Sequence, residues 1–231
     1  MTANPGIPEY HMRQEAILPM EQLIWPIHVI GLGAVGSYLT LALAKLGARE
    51  LYGYDPEQVV PENVGTQIYG PTHVGQPKAV ALGRVIEQLT GLRPDLQARA
   101  IYDEPLAGIV VLAVDTMHDR AQIFRSIDGR AAVRWLLDVR IGFTPVPPHS
   151  AVGLLFTVRP CDPADVAVYR RSLHDDRSVL PLNCRAAGIV TASMSAAAQV
   201  AHRISQVARG EAVPLLERVF PLPSAAAGQA C

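Results

Sequence analysis

Hydrophobic and polar positions follow two patterns along the chain. Mostly apolar runs, typical of strands buried on both faces of a sheet, occur at 23–30, 49–55, 96–102, 108–115 and 133–139. Segments whose apolar residues recur every three or four positions, as in an amphipathic helix, occur among them at 36–48, 77–91 and 117–128. Strands that alternate with helices predict an α/β fold with a doubly wound, mostly parallel, Rossmann-like sheet.

Two further apolar runs, 140–146 and 151–160, follow one another with no helix between them. We therefore expect them to pair as antiparallel strands at one edge of the sheet. A long helix with small residues on one face is predicted over 188–210. Together the elements predict an N-terminal arm at 1–22, a single nucleotide-binding domain at 23–221 and a flexible tail at 222–231.

The composition of the chain limits the partners that it can have. Of its 231 residues, 49% are hydrophobic and 18% are charged, and the formal net charge is −1. This balance provides neither a basic surface for nucleic acid nor a polybasic patch for a membrane. Because the sequence starts without a signal-peptide pattern and has no apolar run long enough to span a bilayer, we expect a cytoplasmic protein.

Three glycines between the first strand and the first helix match the pattern G-x-G-x-x-G: Gly31, Gly33 and Gly36. In this pattern the first glycine permits a tight turn, the second lets the backbone approach phosphate, and the third lets helix and strand pack closely. Asp55 ends the second strand, where a carboxylate accepts hydrogen bonds from ribose hydroxyls. The combination predicts nucleotide binding and leaves NAD, FAD, S-adenosylmethionine and ATP open.

The segment after the second strand distinguishes between these nucleotides. A dehydrogenase usually enters its next helix after a loop of about 2–6 residues, whereas here a turn-rich stretch extends from Pro56 to Gln76. This stretch and the helix start that follows contain Asn63, Gln67 and Lys78, two amides and an ammonium group that suit phosphate. Each of them alone is equally compatible with an exposed polar surface.

Several motifs in this order resemble those of the ThiF/MoeB branch of the E1-like activating enzymes. They are the glycine turn with its aspartate, "EN-x-x-x-Q", "G-x-P-K-A", "VDTMHDR" and the cysteine-containing segment "NCRAAGIVTASMSAAAQVAHRI". The resemblance covers nearly the whole chain and implies that 23–221 is a ThiF-like domain. It further implies a homodimer that uses ATP and Mg²⁺ to adenylate the carboxyl terminus of a small ubiquitin-like or sulfur-carrier protein.

The resemblance also implies roles for individual residues. Lys78 would neutralise the phosphates, Asn63 and Gln67 would contact them or orient the loop, and Asp115 would hold Mg²⁺ at the end of its strand. Adenylation brings a carboxylate and a triphosphate together, so positive charge must be supplied where these anions meet. A second interpretation of Asp115 stays open, because it also stands where it can cap the helix that begins near Thr116.

Two more residues are assigned by the resemblance, each with a plain structural alternative. Arg13 matches an arginine that reaches the ATP of the neighbouring subunit, and it is equally compatible with a solvated arginine in a mobile arm. Cys184 matches a cysteine that captures the activated acyl group, with Arg185 favouring its thiolate. The alternative for Cys184 is a buried cysteine that packs as a small hydrophobic residue.

The chain departs from the pattern of the family in two respects. Many relatives carry two CxxC pairs that bind a structural zinc, and because this sequence has neither, no zinc is expected. The family's arginine before the glutamine of "EN-x-x-x-Q" is replaced by Thr66, so a cationic phosphate contact is lost. Thr66 therefore leaves open a paralogue that binds nucleotide without adenylating an acceptor, and the glycine turn with Asp55 is shared with an NAD(P)-dependent oxidoreductase, which also stays open.

Overall fold

The computed structural model describes residues 11–143, 151–174 and 189–220. Over these residues the chain forms seven strands and six α-helices. The strands are β1 Ile27–Ile30, β2 Leu51–Tyr54, β3 Asp95–Gln97, β4 Gly108–Leu112, β5 Val133–Phe143, β6 Ala151–Val158 and β7 Leu216–Arg218. The helices are α1 Met12–Glu15, α2 Ala34–Leu46, α3 Lys78–Thr90, α4 Met117–Ile127, α5 Pro163–Ser172 and α6 Val190–Ala208.

The strands form one sheet in the order β3-β2-β1-β4-β5-β6-β7. Strands β1 to β5 run parallel, and β6 and β7 are added antiparallel beyond β5. The order reverses between β1 and β4, and a crevice is expected at the carboxyl ends of the strands next to such a point. The predicted doubly wound, mostly parallel sheet with antiparallel edge strands is confirmed.

Helices cover both faces of the sheet. Helices α2, α3 and α6 contribute to one core with residues such as Val29, Leu39 and Leu82. Helices α4 and α5 contribute to a second core on the opposite face, with residues such as Phe124 and Tyr169. Because both faces are covered, the central strands are apolar on both sides, which explains the nearly continuous apolar runs in the sequence.

Two strands differ in length from the prediction. β5 continues to Phe143 instead of giving way to a separate edge strand at 140, because its second half keeps backbone partners on β6 after β4 has ended. β3 ends at Gln97 rather than at 102, because the paired residue Tyr54 is the last of β2. The sequence pattern predicts neither α5 nor β7, and β7 is a three-residue exposed strand with no apolar signal.

Residues 11–23 pack against the C-terminal end of α2. Nε2 of Gln14 donates to the carbonyl oxygen of Lys45 at 2.9 Å, and the side chains of His11 and Met20 lie against Gly47. With 13 residues, α2 separates this contact from the glycine turn by about 20 Å. The boundaries predicted for the arm, the domain and the tail stay predictions.

The described part of the chain contains no helix that is long and apolar enough to cross a membrane.

Candidate functional site

A cleft of about 660 Å³ opens at the carboxyl ends of the parallel strands, beside the point where the strand order reverses. The segments after β1, β2, β3 and β4 line it with the end of β5, and the first residues of α6 contribute one side. It brings together most of the residues selected from the sequence, namely Gly31, Gly33, Asp55, Asn63, Gln67, Lys78 and Asp115.

The three glycines make different contacts. Gly31 has a φ of 91°, and a Cβ there would lie 2.6 Å from the carbonyl oxygen of Ala113 after β4. A Cβ on Gly36 would lie 1.8 Å from the carbonyl oxygen of Gly31, so only glycine lets α2 start this close to β1. The atom nearest to a Cβ on Gly33 would be Nε2 of Gln67, at 3.8 Å. Gly31 and Gly36 therefore shape the turn, whereas Gly33 leaves the backbone accessible from the cleft.

The glycine turn is held in place through Leu32. Its N–H donates to Oδ2 of Asp55 at 2.7 Å, and its carbonyl oxygen accepts a hydrogen bond from Oη of Tyr69 at 2.7 Å. The other carboxylate oxygen of Asp55 accepts from the N–H of Glu57 at 2.8 Å. Both oxygens of Asp55 therefore bind the backbone already, and the predicted contact with ribose would use their remaining lone pairs.

The charge of Asp55 is coupled to that of Lys78. Asp55 is buried, and burial raises the pKa of its carboxyl above the usual value. The ammonium group of Lys78 and the two backbone donors favour the ionised carboxylate and so act in the opposite direction. A change at either residue therefore alters the electrostatics of the other.

The start of α2 provides an anion site next to the turn. The helix begins at Ala34 and has no side-chain cap, because its N-cap residue is Gly33. The first N–H groups of a helix have no partner within the helix, and the helix dipole adds positive potential at this end. Since Ala34 and Val35 both line the cleft, this helix end suits a phosphate group.

Lys78 forms an ion pair within the chain. Its Nζ donates to Oε2 of Glu57 at 2.5 Å, and its backbone N–H donates to the carbonyl oxygen of Glu57 at 2.9 Å. The side chain of Lys78 is 5% exposed, whereas that of Glu57, in the loop after β2, is 64% exposed. The lysine selected as a phosphate ligand thus has a carboxylate counter-ion of its own.

Of the two amides, Asn63 ends a 3₁₀ turn at Pro61–Asn63 and Gln67 follows it in the same loop. Oδ1 of Asn63 accepts from the N–H of Val60 at 3.0 Å, so its NH₂ group remains as a donor. Oε1 of Gln67 is buried without a hydrogen-bond partner among the described residues, which is unusual for a buried polar atom. Thr66 does not line the cleft, and its N–H donates to the carbonyl oxygen of Asn63 at 3.1 Å.

Asp115 is exposed and lines the cleft just beyond the end of β4. The N-cap of α4 is Thr116, whose Oγ1 accepts from the N–H of Asp119 at 3.0 Å and lies 2.7 Å from an oxygen of the Asp119 carboxylate. The interpretation of Asp115 as the cap is therefore wrong, because its neighbour has that role. The Asp115 carboxylate is an oxygen ligand of the kind that Mg²⁺ prefers.

A buried ion-pair network borders the cleft at the end of β5. The fully buried carboxylate of Asp138 contacts the guanidinium groups of Arg120 and Arg140 and accepts a hydrogen bond from Oη of Tyr169 at 2.9 Å. Both arginines line the cleft, and Arg120 also donates to the carbonyl oxygen of Val114. Burial lowers the pKa of Arg140, but an arginine stays charged at neutral pH. The carboxylate of Asp138 and the two guanidinium groups thus form a buried charged cluster beside the cleft.

Two of the selected residues that the structure describes, Gly36 and Arg13, do not line the cleft. Gly36 lies beneath the glycine turn, as its contact with Gly31 shows. Arg13 is exposed on α1, at the end of α2 that lies away from the turn, and so it is remote from the cleft of its own chain. Cys184 and its neighbour Arg185 lie outside the described residues.

No group of three potential metal ligands occurs within the described ranges. Mg²⁺ commonly takes only one or two carboxylates and completes its coordination with substrate phosphates and water, so a single carboxylate in a phosphate-sized cleft fits this ion. The absence of a zinc site stays a prediction.

Five residues that shape the site were not selected from the sequence: Glu57, Tyr69, Arg120, Asp138 and Arg140. Two runs carried a signal: "WLLDVR", because charged residues inside a buried strand require partners, and the motif "VDTMHDR", which ends with Arg120. Glu57 and Tyr69 are polar residues of a turn-rich loop, and their partners lie 21 and 37 positions away.

A family model described as the ThiF family matches residues 25–220. No curated protein sequence matches the chain. Among solved structures, the chain is similar to E. coli tRNA N6-threonylcarbamoyladenosine dehydratase, TcdA, with a TM-score of 0.65 and 16% identity over 87% of this chain and 95% of that one. A structure of TcdA with ATP gives a TM-score of 0.61 and 17% identity, with 88% and 97% of the two chains covered.

A second similar structure is that of E. coli MccB with AMPCPP and MccA. Its TM-score is 0.63 and its identity 16%, over 93% of this chain and 68% of that chain. At such identities the likeness to both proteins shows a common fold.

Proposed function

The chain belongs to the ThiF family, and from this we propose that it is an adenylyltransferase that activates a carboxylate with ATP. The observation that carries the proposal is a single cleft lined by the glycine turn, the start of α2, Lys78 and Asp115. This combination offers backbone donors, an ammonium group and an exposed carboxylate around a space suited to a triphosphate. The ATP held by the similar protein TcdA supports the same choice of nucleotide.

In the proposed reaction, an oxygen of the acceptor carboxylate attacks the α-phosphorus of ATP. The bond from that phosphorus to the bridging oxygen breaks, and pyrophosphate leaves with the bonding electrons, so that an acyl-adenylate remains. The start of α2 and Lys78 offset the negative charge that gathers around the α-phosphate, while Asn63 and Gln67 orient the phosphates. Asp55 holds the ribose hydroxyls, and its own position is fixed by the N–H of Leu32.

The side chains that line the cleft do not supply enough positive charge for a triphosphate, so further cations are needed. Three basic and four acidic side chains from the described residues line it: Lys78, Arg120, Arg140, Asp55, Glu57, Asp115 and Asp119. A triphosphate adds more negative charge, so these side chains alone do not neutralise it. We propose that Asp115 holds Mg²⁺ together with the phosphates, where the ion would polarise phosphoryl oxygens.

A second cation is proposed to come from a neighbouring subunit. Arg13 lies about 20 Å from the glycine turn of its own chain, at the other end of the 13-residue helix α2. It therefore contributes to a cleft only across a dimer interface, in agreement with the role that the family resemblance gives it.

The replacement of the family's arginine by Thr66 does not remove every guanidinium from the cleft. Arg120 and Arg140 still line it, beside the Asp138 carboxylate that pairs with both. The presence of two arginines at the cleft supports adenylation by the chain rather than nucleotide binding alone.

We also propose that the acceptor is the carboxyl terminus of a small ubiquitin-like or sulfur-carrier protein. The cleft extends past the nucleotide side to Ile141 and Phe143 of β5 and to Ile189 before α6, which provides an apolar surface for a polypeptide tail. The similar protein MccB was crystallised with both AMPCPP and MccA, so a related fold accommodates a second component as well as a nucleotide analogue. Onward transfer of the acyl group would use Cys184.

The proposal is tested by ATP–pyrophosphate exchange with purified candidate acceptor proteins. We expect exchange with an acceptor that has a free C-terminal carboxylate and none with the same acceptor amidated at its C-terminus. Lys78→Met is expected to abolish exchange, whereas Cys184→Ala retains it and loses only later transfer. Exchange that persists with the amidated acceptor would show that its C-terminal carboxylate is not the group that is adenylated.

A further inference from the structure

The ion pair between Lys78 and Glu57 has partners of very different burial. The side chain of Lys78 is 5% exposed and that of Glu57 is 64% exposed, while their charged atoms are 2.5 Å apart. A buried ammonium group needs a partner, since desolvation of a lone charge is costly. An exposed carboxylate can turn back into water at little cost. Lys78 is therefore the fixed member of the pair and Glu57 the movable one.

Other contacts of the pair keep the loop in place when the Glu57 side chain moves. The backbone N–H of Glu57 donates to Asp55, and its carbonyl oxygen accepts from the backbone N–H of Lys78 at 2.9 Å. Neither contact involves the side-chain carboxylate of Glu57. Asp55 cannot replace Glu57 as the movable partner, because it is buried and tied to Leu32 and Glu57 through both of its oxygens.

Resting on the proposed function, we infer that Glu57 is a specificity-determining residue that competes with phosphate for Lys78. An anion that enters the cleft must replace the Glu57 carboxylate as the counter-ion of the lysine. Only a ligand with enough negative charge near Nζ of Lys78 displaces it, whereas a nucleoside without phosphates leaves the pair intact. Glu57 also returns to Lys78 when pyrophosphate departs, which favours product release.

The test compares the affinities of Glu57→Gln and the wild-type protein for ATP, inorganic pyrophosphate and adenosine by calorimetry. Glutamine has the same shape, and its amide oxygen still accepts from Lys78, but it carries no charge. We expect Glu57→Gln to bind ATP and pyrophosphate about five- to tenfold more tightly than the wild type, with adenosine unchanged.

Two controls separate competition from a general change in charge. Glu87→Gln removes a carboxylate that pairs with Arg93 at the far end of α3, and it should leave all three affinities unchanged. In a Lys78→Gln background, Glu57→Gln should alter the affinity for ATP by less than about twofold, because the competition acts through the lysine.

The outcomes distinguish this inference from the proposed function. If the wild-type protein binds ATP and Glu57→Gln binds it equally or more weakly, Glu57 does not compete and the inference is wrong. If the wild-type protein binds neither ATP nor pyrophosphate, the proposed function is wrong as well.

Discussion

The carbonyl oxygen of Gly31 lies 1.8 Å from the position that a Cβ on Gly36 would occupy. This contact joins the residue after β1 to the first turn of α2. One atom is a backbone carbonyl oxygen and the other would be a Cβ bonded directly to the backbone, so neither can move aside. Gly33 lies between them in sequence, but the nearest atom to its Cβ position is 3.8 Å away. Gly36 is therefore required by close packing, whereas Gly33 leaves the backbone open to a ligand.

We expect Gly36→Ala to lower the free energy of unfolding by about 3 kcal/mol, because the new methyl group overpacks the turn. Gly33→Ala should change it by less than about 1 kcal/mol and should weaken ATP binding by about tenfold or more, since the methyl group blocks approach to the backbone. Urea unfolding and nucleotide titration measure the two effects. An equal loss of stability in both variants would contradict this division of roles.

Asp115 and Thr116 are neighbours whose substitution should have opposite consequences. Thr116 caps α4, so Thr116→Ala is expected to cost about 1 kcal/mol of stability and to retain adenylation. Asp115 is exposed and does not cap the helix, so Asp115→Asn should leave stability within about 0.5 kcal/mol of wild type. If it holds Mg²⁺, the same change should slow pyrophosphate exchange on the order of a hundredfold. A stable Asp115→Asn protein with normal exchange would exclude the metal role.

His28 should make the fold sensitive to acid. It is buried on β1, where its ring stacks on Tyr52 with centroids 4.8 Å apart and its Nδ1 lies 3.3 Å from Oη of Tyr54. Burial lowers its pKa from 6.5 to about 4. Because the folded-state pKa is below the unfolded value, the neutral ring does not lower the free energy of unfolding above pH 6.5. As the pH falls from there towards about 4, the unfolded chain binds a proton that the folded chain does not, and stability is lost.

The size of this loss follows from linkage. Between pH 7 and pH 5, protonation of this one histidine in the unfolded chain should lower the free energy of unfolding by about 2 kcal/mol. His28→Phe should remove that part of the pH dependence, while the exposed His202→Gln should retain it. Urea unfolding at the two pH values measures the difference. A His28→Phe protein with the wild-type pH dependence would show that another group titrates.

The features that the sequence predicted correctly are local ones. The apolar runs and the helical spacing define the parallel sheet, and the glycine pattern marks the turn, because each depends on residues that are near one another in sequence. Lys78 stood out because it follows two amides after Asp55, but its role at the phosphates and that of Asp115 at Mg²⁺ came from the family resemblance, since a lysine at a helix start and an aspartate after a strand are common on protein surfaces.

The features that escaped prediction depend on the path of the chain. Tyr69 fixes the glycine turn through Leu32 only because the loop after β2 folds back over it. Glu57 meets Lys78 for the same reason, and no periodic pattern encodes that return. The extension of β5 to Phe143 is set by β6, a partner that comes later in the chain.

The central claim is that this cleft binds ATP through Lys78, and a calorimetric titration tests it most directly. We predict that ATP with Mg²⁺ binds at least about tenfold more tightly than NADH, and that Lys78→Met weakens ATP binding by about tenfold or more while the protein stays folded. Tighter binding of NADH than of ATP, or unchanged ATP affinity in Lys78→Met, would contradict the account.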